Sequence, residues 1–385
     1  MTMARSYSRI FPLLLARNGI CHPGRSSMKY NNFCSVTPNI PVKIPVYGIL
    51  RIHSHQALKI FPIPPQKSMA LNEAYFTNCS GKEICSTCEK IKEFRVEIPP
   101  ASSSSKFQEE HHSESLLLQD NTRLEVPLNY DMSGVLETSS ADLMLGRFEN
   151  DFIDFESKGG KLICQNQIAC KTFRWHSIQG DGDVFIKGGI HGNVDIQVTG
   201  KGTIDAGKVQ GDQHELRSDR GDIKVEALYS VGASLFTRTG TMELRNIHGE
   251  IQVDLGSEGN LNLRGLDGSL SVKGATGKVS LAVDRLQADS SIEMTGSSEI
   301  SIQVNPEGFN SDVIVEGAAE VYIDEELGAT FQESGEGEGR IEMSNDTSGQ
   351  PFQLKIVTAG GRVAIKKLDW LSSFTGIDFI GTSQR

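Results

Sequence analysis

No aspartate or glutamate occurs before Glu73, although the 385-residue chain carries 49 of them. The same acid-free stretch holds nine basic residues: Arg5, Arg9, Arg17, Arg25, Lys29, Lys43, Arg51, Lys59 and Lys67. The remainder therefore has 38 − 9 = 29 basic against 49 acidic residues, a net of −20. A body this acidic repels nucleic acid and anionic lipid, which argues against either as a partner. No stretch reaches the ~18 consecutive apolar residues of a membrane span. Cysteine is scarce and odd in number, seven in all (21, 34, 79, 85, 88, 164 and 170), which argues against a disulfide scaffold. Aromatics make up only 7%, while glycine is frequent at 39 residues. That balance suits a turn-rich β protein better than a helical one.

What is present begins with a repeat. From about Val135 to near the end, a glycine or small polar residue is followed by apolar-x-apolar. Gly182-Asp-Val-Phe-Ile, Gly202-Thr-Ile, Gly221-Asp-Ile-Lys-Val and Gly240-Thr-Met-Glu-Leu are instances, as are Gly249-Glu-Ile-Gln-Val-Asp-Leu, Gly259-Asn-Leu-Asn-Leu and Gly268-Ser-Leu-Ser-Val. Period-two alternation puts Ile251, Val253 and Leu255 on one face and Gln252 and Asp254 on the other. Glycine at the corners is expected to supply the positive φ of a tight turn. No helix-period segment separates the strands, which excludes βαβ units. A coil of ~20 residues orders more chain than its few inward side chains stabilise alone, so coils must stack and share burial. The expected fold is all-β, a parallel β-solenoid first, with an antiparallel β-sandwich or prism as the alternative.

The chain divides into four segments. Residues 1–39 read as a mitochondrial transit peptide, being Arg-rich, Ser-containing and free of acids. A secretory signal is the rival reading, as is an extension upstream of initiation at Met28 or Met69. Residues 40–119 read as a flexible Pro/Ser-rich linker with a Cys-containing segment and one short alternating strand at Phe94–Ile98. Residues 120–368 form the repeat. Residues 369–385 read as a cap, with Trp370, Leu371, Phe374 and Ile377 at the spacing of an amphipathic helix.

The chemistry-bearing candidates are few. Cys85-Ser-Thr-Cys88 could supply two of the four ligands of a zinc site, but a second CxxC is absent and His111-His112 lie in a Ser/Glu-rich break. Gly180-Asp-Gly-Asp183 resembles the Gly/Asp turns of calcium-binding rolls, yet the equivalent turns carry Asn193, Thr203, Asn260 and Ser269 instead. Asp324-Glu325-Glu326 is the densest acid run, the place where a β-helix enzyme acting on carbohydrate would hold its carboxylates. The aromatics available to line a groove there are Trp175, Phe185, Tyr229, Phe236 and Tyr322. Asn78-Cys-Ser80 and Asn345-Asp-Thr347 are glycosylation sequons, relevant to a secreted chain. No GxSxG, Walker A or helix-opening GxGxxG occurs. No residue is therefore assigned a catalytic, cofactor-binding or metal-ligating role, and no cofactor is expected.

The stretch Gly189-Ile-His-Gly-Asn-Val-Asp-Ile, with Tyr229 and Gly240-Thr-Met-Glu-Leu-Arg-Asn-Ile-His-Gly-Glu-Ile-Gln-Val, resembles the adhesin-type domain of unknown function. In particular it resembles the animal "family with sequence similarity 185 member A" proteins, over roughly Arg123 to Phe374. The resemblance implies a right-handed solenoid-like fold and a mitochondrial address, and it supplies no catalytic residues. The function expected is a non-catalytic binding or scaffold module with a protein partner. The alternatives are an extracellular adhesion domain and a carbohydrate-active enzyme. The location expected is mitochondrial, or cytoplasmic if translation starts at an internal Met.

Overall fold

The computed structural model describes residues 40–43, 49–63, 73–77, 93–98, 122–306, 309, 311–335, 338–342 and 352–368. All of these lie in the compact unit Pro38–Arg385. Residues 1–39, Cys79, Cys85, Cys88, His111, His112, both sequon asparagines and residues 369–385 lie outside them.

Within one coil the inward residues show where the backbone bends. The strand Thr241–Asp254 buries Met242, Leu244, Ile247, Ile251 and Val253, and Asn260–Gly274 buries Leu261, Leu263, Leu266, Leu270 and Val272. Residues two apart share a face of a strand. The three-residue steps from Leu244 to Ile247 and from Leu263 to Leu266 therefore mark a corner. Asn246 (φ 48°) and Gly265 (φ 74°) occupy that corner in left-handed conformation, as Asn and Gly readily do. The second corner lies at Gly249 (φ 114°), beyond which the alternation resumes at Ile251. Each coil thus has a three-residue stretch, a short middle stretch on a narrow face, and a longer stretch on a wide face.

The coils stack in parallel. Ile204 pairs with Ile223, Ile223 with Met242 and Met242 with Leu261, each 19 residues on. Leu162 pairs with Val184, 22 residues on, and Leu261 with Val279, 18 on. The result is a β-solenoid of about nine turns, and parallel register sets aside the antiparallel sandwich. Like residues meet like across coils, so Val225, Leu244, Leu263 and Leu281 form one buried apolar column.

The glycines that open the repeat units have another cause than the one expected. Gly202, Gly221 and Gly240 do not have positive φ. A Cβ on each would lie 2.4, 2.0 and 2.0 Å from the carbonyl oxygen of Gly182, Gly202 and Gly221 in the coil below. They are glycine because neighbouring backbones approach closely there. Gly249 and Gly277 do have the left-handed φ expected of corner glycines. The buried hydroxyls of Ser218 and Thr237 complete the turn. They accept from the amides of Gly221 (2.9 Å) and Gly240 (3.0 Å) and donate to the carbonyls of Gly202 (3.0 Å) and Gly221 (3.1 Å). Polar groups buried at a corner are thereby satisfied between coils.

The solenoid begins earlier than the expected linker allows. Ile49–Ser54 and Leu58–Pro62 are solenoid strands, paired in parallel with Asp131–Leu136 and Leu143–Leu145. Leu50, Ile52, Leu58 and Ile60 are buried. Their alternation outweighs the surrounding prolines, and Pro62 falls at a strand end where a missing N–H is tolerated. Glu93–Ile98 and Thr122–Val126 then pair on the other side of these two strands, so the first coil in space is not first in sequence. The far end repeats the device. Phe352–Thr358 and Gly361–Lys367 insert between the coil of Ser290–Val304 and the terminal coil of Ser311–Ile323. Antiparallel strands lie against both end coils. Glu73–Thr77 pairs with Thr122–Val126, and Glu338–Glu342 pairs with Ser311–Glu316. Such cover suits a stack whose end edges would otherwise be open.

Candidate functional site

The narrow face carries one outward residue per coil. Register places Glu149, Ala169, His191, Gln210, Tyr229, His248, Asp267 and Arg285 in a single ladder. Apart from Arg285, each follows a buried apolar residue: Phe148, Ile168, Ile190, Val209, Leu228, Ile247 and Leu266 are all fully inside. The Ile-His-Gly motifs at 190–192 and 247–249 are therefore a local rule: apolar inward, one side chain outward, then the corner. Rungs repeat at the ~4.8 Å strand spacing.

The middle of the ladder is tightly organised. The Tyr229 ring stacks on His248 at 4.7 Å and 8°. The Lys208 ammonium, from the preceding coil, sits 5.0 Å from the Tyr229 ring centre. His248 Nδ1 is 3.7 Å from Asp267 Oδ2. Asp267 accepts two bonds from Arg285, both 2.9 Å, and one from Gln287 at 2.8 Å. The Arg285 hydrogen bond, reinforced by Gln287 and by the charges of Arg285 and His248, holds the Asp267 carboxyl below its usual range despite partial burial. Neighbouring Asp284 is pushed up, first by burial and then by the Asp267 charge.

Beside this stack the ladder register slips. Tyr229 faces His248 but Gly232 faces Glu250, so the coil of Tyr229 has one extra residue. The bulge pushes Val231 outward, where it is 67% exposed. Bulges re-aim side chains in this way. A second bulge between Ala169 and Thr172 presents Lys171, which pairs with Asp151 at 2.9 Å.

The wide face carries a polar network and a depression. Arg174 bridges Asp154 (3.2 Å) and Asp195 (3.3 Å), and His176 joins Asp195 at 2.9 Å. Burial works against the Asp195 charge, but His176, Gln197 and Arg174 outweigh it and hold its pKa below the ordinary value. Farther along, the small side chains of Ser269, Ser271 and Ser291 leave a shallow open depression of about 310 Å³, rimmed by Glu250, Asp289 and Lys355.

The residues singled out from the sequence lie apart from one another. Asp324 caps the 3₁₀ turn Glu325–Leu327 through the Glu326 amide, and Glu326 pairs with Lys367 at 3.1 Å. Asp181 and Asp183 accept from the amides of Lys201 (2.7 Å) and Thr203 (3.1 Å), one coil on. Asp142, Asp222 and Asn260 do the same for Lys161, Thr241 and Lys278. This Asx-to-next-coil bond recurs 18 to 20 residues apart, a spacing that a search for local turn motifs passes over. Trp175 is fully buried rather than lining a groove. Phe185, Phe236 and Tyr322 lie under Lys161, Arg217 and Arg362, with the cation 4.5 to 6.0 Å from the ring centre. Cys164 and Cys170 are buried and unpaired. Burial pushes the Cys170 thiol up to about 12 and Cys164 higher still, which makes both poor nucleophiles. Among the described residues no group of three or more His, Cys, Asp or Glu could hold a metal ion, and no helix is long and apolar enough to cross a membrane.

No family model matches this chain. A crystal structure of a candidate cell adhesion protein from Clostridium sporogenes ATCC 15579 matches 86% of this chain and 100% of its own, at 8% identity and a TM-score of 0.15. At that score the likeness carries no argument about this protein.

Proposed function

We propose that this chain is a non-catalytic, adhesin-like binding module that holds a protein partner against its narrow face. The observation that carries the reading is Val231, an aliphatic side chain 67% exposed beside the Tyr229–His248 stack. An exposed apolar residue near a fixed aromatic and charged groups has the composition of a protein interface, with an apolar centre and a polar rim. Binding rather than catalysis is also supported by the densest acid run, whose Asp324 serves as a cap and whose Glu326 is paired with Lys367.

The basic, acid-free residues 1–39 support a mitochondrial address. The mature N-terminus of a C-terminally tagged chain, read by mass spectrometry after fractionation, tests that address. A start between about Asn18 and Asn39 in mitochondria is expected. A glycosylated form in the medium would instead favour the extracellular adhesion domain. The partner face is tested by recovering proteins from the same fraction on wild type, on Val231→Asp and on Ser271→Asp, which lies on the wide face. A partner retained by wild type and Ser271→Asp but lost with Val231→Asp is expected. Equal retention by all three removes the narrow face from consideration.

A further inference from the structure

We infer that two copies of this chain pair face to face, with their stacks running in opposite directions, about a two-fold axis at Ile163. The surface is the face built from Leu58–Pro62 and the three-residue strands stacked on it. There Lys59, Met144, Ile163, Phe185 and Asp205 each stand outward between two buried neighbours. Register sets the five in that order in one ladder. The ladder continues through Lys224, Glu243 and Asn262, the polar side chains that an outward position calls for. Met144, Ile163 and Phe185 are half-buried, as those polar residues are, so they face outward and are nonetheless apolar. Phe61 widens the stripe, its ring lying against Gly146 beside Met144.

The core does not require these residues, because Leu143, Leu162 and Val184 fill it from the same strands. Single outward apolar residues are ordinary, but three in successive coils make a contiguous stripe of the kind that marks a contact surface.

The order of the ladder names the occupant. It reads cation, three apolar residues, anion, and reversed it is its own complement. A two-fold axis at Ile163 sets Ile163 on Ile163 of the other copy, Met144 against Phe185 and Lys59 against Asp205, the last two contacts made twice. Self-complementarity of this kind is what a two-fold interface needs. Neither Lys59 nor Asp205 has an ion-pair partner among the described residues. The next charges outward are already held in their own copy, Arg123 by Glu125 at 3.1 Å and Lys224 by Glu243 at 3.9 Å. Lys161, which would meet its counterpart beside the axis, is neutralised by Asp183 at 2.9 Å. Five rungs span about 19 Å at the ~4.8 Å strand spacing. A contact of that length is small for a specific interface, so the dimer should form reversibly with concentration.

Sedimentation velocity of the full chain from about 1 to 100 µM tests this, at ~0.15 M salt, where a Debye length of about 8 Å screens the acidic body. A concentration-dependent dimer is expected. Ile163→Asp sets two carboxylates against each other at the axis and should weaken it at least about tenfold. Lys59→Asp and Asp205→Lys should each weaken it too, since each brings like charges together at both ends. The double variant Lys59→Asp/Asp205→Lys should restore it. Val231→Asp, on the narrow face, should leave it unchanged. The charge swap alters only the ends of the stripe, so it tests the pairing even where Ile163→Asp disturbs its own coil. A monomer at every concentration, a folded Ile163→Asp protein that still dimerises, or a double variant no better than its single parents overturns the inference.

Discussion

Replacing Gly221 with alanine tests the physical basis of the stack. A Cβ there would lie 2.0 Å from the Gly202 oxygen and 2.7 Å from the Lys201 oxygen, both backbone atoms. Relief to a bare 3.0 Å contact requires the coils to part by about 1 Å locally, against a spacing of ~4.8 Å set by backbone hydrogen bonds. Overpacking of this kind costs about 1–3 kcal/mol, and weakening the 2.9 Å bond from the Gly221 amide to Ser218 adds about 1. Together, about 2–4 kcal/mol should lower the melting temperature by about 3–6 °C, since an unfolding entropy of about 2.1 cal/mol/K per residue over about 320 residues gives about 1.5 °C per kcal/mol. Thermal unfolding followed by circular dichroism reads this directly. Gly232→Ala is the control, since its Cβ meets the flexible Gln213 side chain at 3.1 Å, and it should cost less than about 1 kcal/mol. Gly221→Asn separates the two causes, because asparagine tolerates left-handed φ but still carries a Cβ. A Gly221→Ala melting point within about 2 °C of wild type, or rescue by asparagine, would refute close approach as the reason for glycine.

Thr237→Val should cost about 1–3 kcal/mol by leaving the Gly240 amide and Gly221 carbonyl without their hydroxyl partner, whereas Thr237→Ser should be nearly neutral; denaturant midpoints distinguish them. Val231→Asp should remove partner binding while leaving the melting temperature unchanged, because the side chain is exposed; a large thermal shift would mean that it packs internally. Burial, only partly offset by the Tyr229 carbonyl and the Asp212 charge, lowers the His214 pKa below 6.5. The unfolded chain then binds a proton more readily, so this site's contribution to stability is full above about 6.5 and is lost as pH falls from there toward the lowered folded value. His214→Leu should remove that component, and urea titrations between pH 7 and 5 with identical slopes for both proteins would contradict it.

Alternation at period two and glycine recurrence are local, and they sufficed to establish an all-β stack of short strands. Ile251, Val253 and Leu255 were readable as core because each residue's neighbours two away share its face. The Ile-His-Gly motif was visible for the same reason, and it marked two rungs of the narrow-face ladder. The cause of Gly202, Gly221 and Gly240 was not readable, since the atom each would strike belongs to the coil below, 19 or 20 residues earlier. Nor was the exposure of Val231, which depends on one extra residue relative to the next coil. The strands at Ile49–Ser54 and Leu58–Pro62 were hidden by prolines, and their place between later strands obeys no order in the chain. Sequence by itself determined which face of each strand is buried, because that is decided by chemistry over a few bonds. Only the tertiary structure decided which coils meet and which outward side chains align. Those choices depend on coil lengths that vary from 18 to 22 residues, and each change of one residue shifts every partner above it.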